Sequence, residues 1–360
     1  MSLYASVGPE LTHYDVDVDA AALTRRGTIG LPANVQYVWP HASRPFLYAA
    51  TSDSASGMGQ QGNAHHVSAL RIDPATGALA AHGVPIPLPT RPIHMATDVP
   101  SQFILVAFNN PSALRVYRIN PDGTPGDEVT QPGPIDAGIF AHQVRATPDN
   151  RRVILVTRGH DAADGKSEEP GALKVFDFRD GVLSNAVSVA PDGGIGFGPR
   201  HLDFHPTQPW VYVSLERQNA LDMFELAHGA LSPAPRFRKN ALGSAPVTRQ
   251  AVGTVHVHPN GRTVYVANRA ATAVGENSLA VYMIDQSTGE PHLIEHADTR
   301  GVHPRTFHID PSGRLMAVAH ITGAVLSLFR IGEDGGLHFA RAYDVDVGQR
   351  TMWWMGMVEQ

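Results

Sequence analysis

The 360-residue sequence predicts an all-β fold built from a repeated antiparallel unit. Three observations support this prediction. Glycine and proline together number 62 (34 plus 28) and charged residues make up only 17%, which favours many tight turns between short strands. Segments rich in β-branched and aromatic residues alternate with polar turns along the chain. These segments recur with a period of about fifty residues.

The first half of the repeat is a short strand, a polar turn and a second strand. Its six copies read YVWPHASRPFLYAAT, MATDVPSQFILVAF, VRATPDNRRVILVT, LDFHPTQPWVYVSL, VHVHPNGRTVYVAN and FHIDPSGRLMAVAH. Their turns align at Pro40, Val99, Pro148, Pro206, Pro259 and Pro311, with spacings of 59, 49, 58, 53 and 52 residues. The regular spacing indicates one structural unit repeated along the chain.

The second half of each repeat is an alternating strand that ends in a turn and is followed by an outer strand, as in ALRVYRINPDGTP and LAVYMIDQSTGEP. Four strands per unit are typical of a propeller blade. Six units cover roughly residues 35–345. The N-terminal ELTHYDVDVDAAALTRRGTI resembles a second half-unit, and the C-terminal QRTMWWMGMVEQ resembles an innermost strand.

The sequence therefore predicts a single domain over residues 1–360, a seven-bladed β-propeller with four-stranded antiparallel blades. In this prediction the N- and C-terminal strands share one blade and close the ring, which removes free sheet edges. The alternative is a stack of separate β-domains.

Composition excludes several classes of partner. The formal charge of −6 and the lack of a Lys/Arg-rich run argue against binding to nucleic acid or an anionic membrane. No apolar run approaches the roughly 18 residues of a membrane span. The absence of cysteine removes disulfides, thiolate zinc sites and cysteine nucleophiles. No secretory signal is recognisable, so we expect a cytoplasmic protein. We also expect a monomer or a weak dimer that needs neither a cofactor nor a metal.

One face of such a ring carries most of the candidate chemistry. Inner strands start, and second strands end, at the same face near the central channel. Seven ionisable residues fall at these positions: His94, His142, Arg200, His201 and Arg305 at inner-strand starts, and Glu216 and Arg269 at second-strand ends. The long connections SDSASGMGQQGNAH, GHDAADGKSEEPG and AATAVGENS also follow second strands, and we expect them to form the wall of a pocket there.

Other readings of single residues stay open. An inner-strand arginine alone is equally well explained as an ion pair between blades. His205 and His258 are expected in turns on the opposite face, and His65 and His66 in a solvated loop. If Glu216 is a catalytic rim carboxylate, its removal is expected to change stability by less than about 1 kcal/mol. If it only bridges blades, its removal is expected to lower the melting temperature.

Five segments resemble a known family: RPIHMATD, AHQVRATPDNRRVILV, GPRHLDFHPTQPWVYVSLERQNALDMFEL, VHVHPNGRTVYVANRA and HPRTFHIDPSGRLMAVAH. The sequence resembles the seven-bladed-propeller lactonases, which include propeller-type 6-phosphogluconolactonases and the carboxy-muconate lactonising enzyme. The resemblance implies catalytic positions at His142, Arg200, Glu216 and Arg269, and it places Arg305 in the family's Pro-Arg motif. We expect Arg305 to bind substrate together with His94 and His201, which lie on the same rim. Phe140 and Thr254 depart from the family pattern, where a histidine and an acidic residue are common.

The expected function is hydrolysis of a sugar-acid lactone at the channel mouth, with a small anionic or polyhydroxylated lactone as substrate. Arginines would bind substrate anions and stabilise the oxyanion, and either Glu216 or His142 would be the base. Two alternatives remain. One is the cyclisation of a muconate-type diacid to a lactone by the same residues, and the other is a non-catalytic propeller that binds a ligand or a protein on this face.

Overall fold

The computed structural model describes residues 1–54, 62–163, 165–247, 249–323, 325–345, 348 and 350–359. These residues form seven antiparallel sheets, which we number as blades 1 to 7 in chain order. Blade 1 contains β1 (Ser2–Val7), β2 (Glu10–Asp17), β3 (Ala22–Gly30) and, as its innermost strand, β29 (Met352–Val358). Blade 2 contains β4 (Asn34–Pro40), β5 (Phe46–Ser52), β6 (His65–Ile72) and β7 (Leu79–Pro87).

The next three blades follow the same order from the inside outward. Blade 3 contains β8 (Pro92–Thr97), β9 (Phe103–Asn109), β10 (Ser112–Ile119) and β11 (Pro125–Glu128). Blade 4 contains β12 (Ala141–Ala146), β13 (Arg152–Thr157), β14 (Ala172–Arg179) and β15 (Val182–Val189). Blade 5 contains β16 (Pro199–Phe204), β17 (Trp210–Leu215), β18 (Ala220–Ala227), β19 (Ala230–Leu231) and β20 (Phe237–Asn240).

The last two blades complete the ring. Blade 6 contains β21 (Ala251–Val257), β22 (Thr263–Arg269), β23 (Ser278–Ile284) and β24 (Pro291–Asp298). Blade 7 contains β25 (Val302–Ile309), β26 (Leu315–Thr322), β27 (Val325–Ile331) and β28 (Leu337–Asp344). The helical structure of the described residues is one 3₁₀ turn, Pro191–Gly194, and none of these residues forms a helix long and apolar enough to cross a membrane.

The two chain ends share blade 1, as predicted. Strand β29 pairs antiparallel with β1, with Ser2 opposite Val358 and Ala5 opposite Met355. The Ser6 hydroxyl reinforces the pairing because it donates to the Trp354 carbonyl and accepts from the Trp354 amide. The last strand of the chain is thereby the innermost strand of the first blade, and the prediction of a closed seven-bladed ring is confirmed.

Blade 5 departs from the predicted four strands because its outer strand is divided. Strands β19 and β20 both pair with β18. Between them runs Ser-Pro-Ala-Pro, with Pro233 and Pro235. Proline has no amide hydrogen and cannot donate to a sheet ladder, so pairing stops and resumes at the Arg236 amide, which donates to the Met223 carbonyl.

The hydrophobic core lies between blades. Seven clusters of described buried residues each join two adjacent blades, one cluster for each junction. Between blades 3 and 4, for example, Leu105 packs with Val144, Leu155 and Phe176, all fully or almost fully buried. The alternating apolar residues of each strand therefore bury themselves against the next blade, and the inner strands are held in a fixed ring.

A repeated hydrogen bond also links neighbouring blades. Tyr4, Tyr48, Tyr212 and Tyr265 occupy the same place in four second strands, and each hydroxyl donates to a glycine carbonyl in the outer hairpin of the next blade. For Tyr265 the acceptor is Gly335, whose φ of 83° favours glycine and whose Cβ would collide with Thr263.

The turn histidines belong to the face opposite the candidate site. The His205 ring contacts the Gly261 carbonyl of the next blade and accepts the Gln208 amide of its own turn, and His258 repeats this arrangement with the Gly313 carbonyl. The expectation of a solvated loop at His65 and His66 is wrong, because both residues lie in strand β6. His65 is buried opposite Ser52 and its ring is hydrogen-bonded to the Ser52 hydroxyl at 2.8 Å.

Candidate functional site

Every inner strand carries a β-bulge near its start. In five blades one extra residue on the inner strand has no partner on the second strand; these residues are Gln36, Ile93, His142, Arg200 and Arg305. In blades 6 and 1 two inner-strand residues oppose a single partner, and in blade 1 they are Trp353 and Trp354. A bulge bends the strand and re-aims its side chain, and such bulges are over-represented beside active sites.

Bulge residues of five blades line a cavity of about 180 Å³. Its described lining residues are Arg91, Ile93, Asn109, Phe140, His142, Arg158, Arg200, Glu216, Arg269, Arg305 and Trp353. Inner-strand bulges supply five of them, and the ends of second strands supply Asn109, Arg158, Glu216 and Arg269. The volume corresponds to roughly six water molecules, so the cavity is suited to one small molecule.

Glu216 is the centre of the charged cluster. Its Oε1 accepts a hydrogen bond from Arg269 Nη2 and lies 3.5 Å from Arg200 Nε, while its Oε2 accepts from Arg158 Nη1 at 3.0 Å. The three guanidinium groups come from three successive blades. One carboxylate therefore holds three cations around a single point of the cavity.

Burial and charge oppose each other at this cluster. Burial raises the pKa of Glu216, but Arg269, Arg200 and Arg158 outweigh it and lower the pKa to about 2. Burial, together with Arg269, lowers the pKa of Arg200 to about 9 although Glu216 acts in the other direction. Glu216 is therefore ionised at neutral pH, and its carboxylate forms ion pairs with the three arginines.

His142 is the ionisable bulge residue of blade 4, and it is neutral at pH 7. Burial and then the charge of Arg200 hold the pKa of His142 well below its ordinary value, with smaller effects from Arg305, Arg158 and Arg269. Its Nδ1 is buried and has no hydrogen-bond partner among the described residues. His142 thus presents an unprotonated imidazole to an otherwise cationic cavity.

His94 and His201 lie beside His142 but outside the cavity lining. The ring centroids of His142 and His201 are 5.2 Å apart, those of His201 and His94 are 6.0 Å apart, and the His94 ring lies 3.9 Å from Tyr37. His94 is fully buried and His201 is 6% exposed. Their roles in substrate binding stay predictions.

Two guanidinium groups of the cavity stack on aromatic rings. The Arg305 guanidinium lies 3.5 Å from the centroid of the Trp353 ring, and the Arg158 guanidinium lies 4.6 Å from that of Phe140. Phe140 has a φ of 56°, in the left-handed region that costs free energy for a side chain of this size. Stacking fixes the planes of both arginines.

The described parts of the long loops do not line the cavity, and the third loop supports it from behind. Loop residue Asn277 accepts hydrogen bonds from the His303 and Ala270 amides through Oδ1, and His303 Nε2 in turn accepts from Arg269 Nη1 at 3.3 Å. Burial, with Arg269 and Arg305, lowers the pKa of His303 to about 3. Residues 55–61 of the first loop and residue 164 of the second lie outside the described residues. The described parts of the three loops contribute no lining residue, so the expected loop wall is wrong for them.

The structure therefore brings His142, Arg200, Glu216, Arg269 and Arg305 together. Sequence reasoning noted Phe140 only as a departure from the family pattern, and it missed Arg91, Arg158 and Trp353. The signal for Arg158 was present, because it follows the second strand of blade 4 at the position that Glu216 occupies in blade 5. Within the described part of the chain no group of three or more His, Asp or Glu residues is arranged to hold a metal ion.

Together the fold and the cavity define a seven-bladed β-propeller with an arginine-rich site at the bulged ends of its inner strands. The chain belongs to the family described as "Lactonase, 7-bladed beta-propeller", whose model matches residues 2–353. The resemblance seen in the sequence is thereby confirmed.

Individual relatives cover almost the whole chain. The 6-phosphogluconolactonase of Bacillus subtilis is 29% identical over 354 residues, and the match covers 93% of this chain and 91% of the relative. The 6-phosphogluconolactonase of Cronobacter sakazakii is 27% identical over 334 residues, and the match covers 92% of this chain and 90% of the relative. Among solved structures, the periplasmic gluconolactonase of Pseudomonas aeruginosa superposes with a TM-score of 0.77 at 19% identity over 97% of each chain. A Lactobacillus plantarum protein superposes with a TM-score of 0.75 at 21% identity over 98% of each chain. At these identities the two structures support the fold alone.

Proposed function

We propose that this protein hydrolyses a lactone of a sugar acid, of the 6-phosphogluconolactone type, in the arginine-lined cavity at the channel mouth. The observation that carries the proposal is the charge of the cavity. Of its described lining residues, five are arginines and one is a carboxylate. The names of the Bacillus and Cronobacter relatives agree with a phosphorylated sugar lactone as the substrate.

The arginines suit both ground-state binding and the transition state of lactone hydrolysis. Water adds to the lactone carbonyl carbon, and the carbonyl oxygen becomes an oxyanion. Arg200 and Arg269 lie beside Glu216 with their guanidinium groups already fixed, so they stabilise that charge without reorganisation. Collapse of the tetrahedral intermediate then breaks the ring C–O bond and yields a hydroxy acid.

His142 is the better candidate for the base. A general base must be unprotonated and must gain a proton during the reaction. Glu216, with a pKa of about 2, is a weak base, and its carboxylate is already ion-paired with three arginines. The neutral His142 imidazole takes the proton of the attacking water and returns it to the leaving alkoxide oxygen. A bound anion would offset the charges of the arginines, the smaller cause after burial, and so raise the pKa of His142 in the complex.

Glu216 acts in this proposal as a positioning residue. It orients Arg158, Arg200 and Arg269 and offsets part of their mutual repulsion. Without it, three cations of one small cavity would repel one another and lose their fixed directions.

The test is an assay of acid release at constant pH with a panel of lactones, corrected for spontaneous hydrolysis. We expect hydrolysis of phosphorylated aldonolactones and a loss of at least about 100-fold in kcat for Arg200→Gln, the range for removing one oxyanion donor. A wild-type protein that accelerates none of these lactones would refute the proposal.

Cyclisation of a muconate-type diacid is the second candidate, because the cationic cavity would also bind two carboxylates. The same preparation, mixed with such a diacid and followed by the loss of its conjugated absorbance, tests this reaction. Turnover of the diacid without hydrolysis of any lactone would favour cyclisation.

A further inference from the structure

We propose that the cavity holds its substrate at two distinct sides, and that Arg305 and Trp353 form the side that binds an anionic group remote from the reacting carbonyl. This inference deepens the proposed function and rests on it for the identity of the reacting group. The other side is the cluster of Arg158, Arg200 and Arg269 around Glu216.

The ring order places the two aromatic–guanidinium stacks across the cavity from each other. Phe140 and Arg158 belong to blade 4, Arg305 to blade 7 and Trp353 to blade 1. In a ring of seven blades, blade 4 is three blades away from blade 7 in one direction and from blade 1 in the other. A ligand in the cavity therefore has a fixed guanidinium on each of two opposite walls.

The two sides differ in how their charge is neutralised. Arg158, Arg200 and Arg269 all lie within 4 Å of a Glu216 oxygen. No carboxylate of the described residues lies within salt-bridge distance of Arg305, although Arg305 is only partly exposed. Burial and the charges of Arg200, Arg269 and Arg91 hold the pKa of Arg305 well below its ordinary value. An anion of the substrate would supply the missing countercharge.

The chemistry of this side suits a phosphate or a second carboxylate. Stacking on Trp353 occupies the face of the Arg305 guanidinium and leaves its in-plane N–H groups for hydrogen bonds. The Trp353 indole Nε1 is a donor only, and it has no hydrogen-bond partner among the described residues. A tetrahedral oxyanion could accept from both groups, whereas a neutral hydroxyl would leave the Arg305 charge uncompensated.

The two sides together select a class of molecule with an anion at one end and a lactone at the other. Hydrolysis converts the lactone into a carboxylate, so the product carries anionic groups at both ends. We therefore expect the open-chain phosphorylated product to bind, and to inhibit competitively, more strongly than either inorganic phosphate or the unphosphorylated product.

The test compares Arg305→Gln with wild type on a phosphorylated aldonolactone and on its unphosphorylated counterpart. We expect the ratio of the two kcat/KM values to fall by about 10- to 100-fold, the effect of losing one charge-assisted contact. Trp353→Phe keeps the stacking ring and removes the N–H, so its ratio should fall several-fold. Arg145→Gln is the matched control, because Arg145 lines a separate cavity with Trp39, Asp203 and His256, and it should leave the ratio unchanged.

An equal loss for both lactones in Arg305→Gln would overturn the assignment and leave the proposed hydrolysis intact. If wild type hydrolyses neither lactone, the proposed function fails, and titration calorimetry still decides the binding claim. The phosphorylated open-chain acid should then bind wild type at least ten times more tightly than inorganic phosphate, and this preference should disappear in Arg305→Gln. Equal affinities in wild type would refute two-sided binding.

Discussion

Replacement of Glu216 by glutamine should destabilise the protein by about 3 kcal/mol at neutral pH. The variant keeps the size of the side chain and removes its charge. The pKa of Glu216 falls from 4.5 to about 2 on folding, a change of roughly 2.5 units at about 1.36 kcal/mol each. The side chain is 14% exposed, so solvent screens little of this effect. The expectation of less than about 1 kcal/mol for a rim carboxylate is thereby revised.

The sign of this contribution predicts its pH dependence. A carboxyl group whose pKa is lowered on folding stabilises the native state fully above its unfolded pKa, and the contribution is lost as pH falls through the folded pKa. The stability difference between wild type and Glu216→Gln should therefore be constant above about pH 5. It should shrink between pH 4.5 and about 2, where the wild-type carboxylate is itself protonated.

Urea denaturation of both proteins at pH 7 and at pH 3.5 measures this difference. The matched control is Glu128→Gln, which removes an exposed ion pair with Arg115 at 2.7 Å and should cost less than about 1 kcal/mol. A Glu216→Gln variant as stable as wild type at pH 7 would show that the three arginine contacts carry no net stabilisation. A stability difference that persists undiminished at the lower pH would show that its origin is not electrostatic.

Three further outcomes are expected. Because the pKa of His142 lies well below 6.5, kcat/KM for lactone hydrolysis should be constant from pH 7 to 8 and should fall only at acid pH. The acid fall of kcat, which reports the complex with substrate, should lie at higher pH than that of kcat/KM. A midpoint of kcat/KM at or above pH 6.5 would contradict His142 as the base. Tyr265→Phe should lower the free energy of unfolding by about 1 kcal/mol, measured in urea, because the Gly335 carbonyl of the next blade loses its donor. Deletion of residues 351–360 should remove the inner strand of blade 1 and lower the melting temperature sharply, since β1 then becomes an unpaired edge; an unchanged melting temperature would count against closure by β29.

The architecture could be predicted from the sequence because each blade repeats a local pattern. Alternating apolar residues, a polar turn and a fixed period of about fifty residues are properties of neighbouring positions along the chain. The same pattern gives each residue its strand and its end of the strand, so the rim positions of Arg200, Glu216 and Arg269 followed. Even the split blade was recognisable, since the terminal segments match two halves of one unit.

The details of the site depend on contacts between blades that no local pattern records. A bulge is a mismatch between two paired strands, so the inward turn of His142 and Arg305 appears only when both strands are in place. His94 and His142 occupy similar positions in the sequence, yet only His142 lines the cavity.

The charge balance was likewise decided by the tertiary structure. From the sequence, Glu216 is one carboxylate at a strand end, and an ion pair with Arg200 is all that its position suggests. Closure of the ring brings Arg158 of blade 4 and Arg269 of blade 6 to the same two oxygens. Coulomb interactions depend on distance in space and on burial, and both are set by how seven blades pack. The sequence alone therefore determined which residue types reach the rim, and only the packed ring determined which arginines pair with the Glu216 carboxylate.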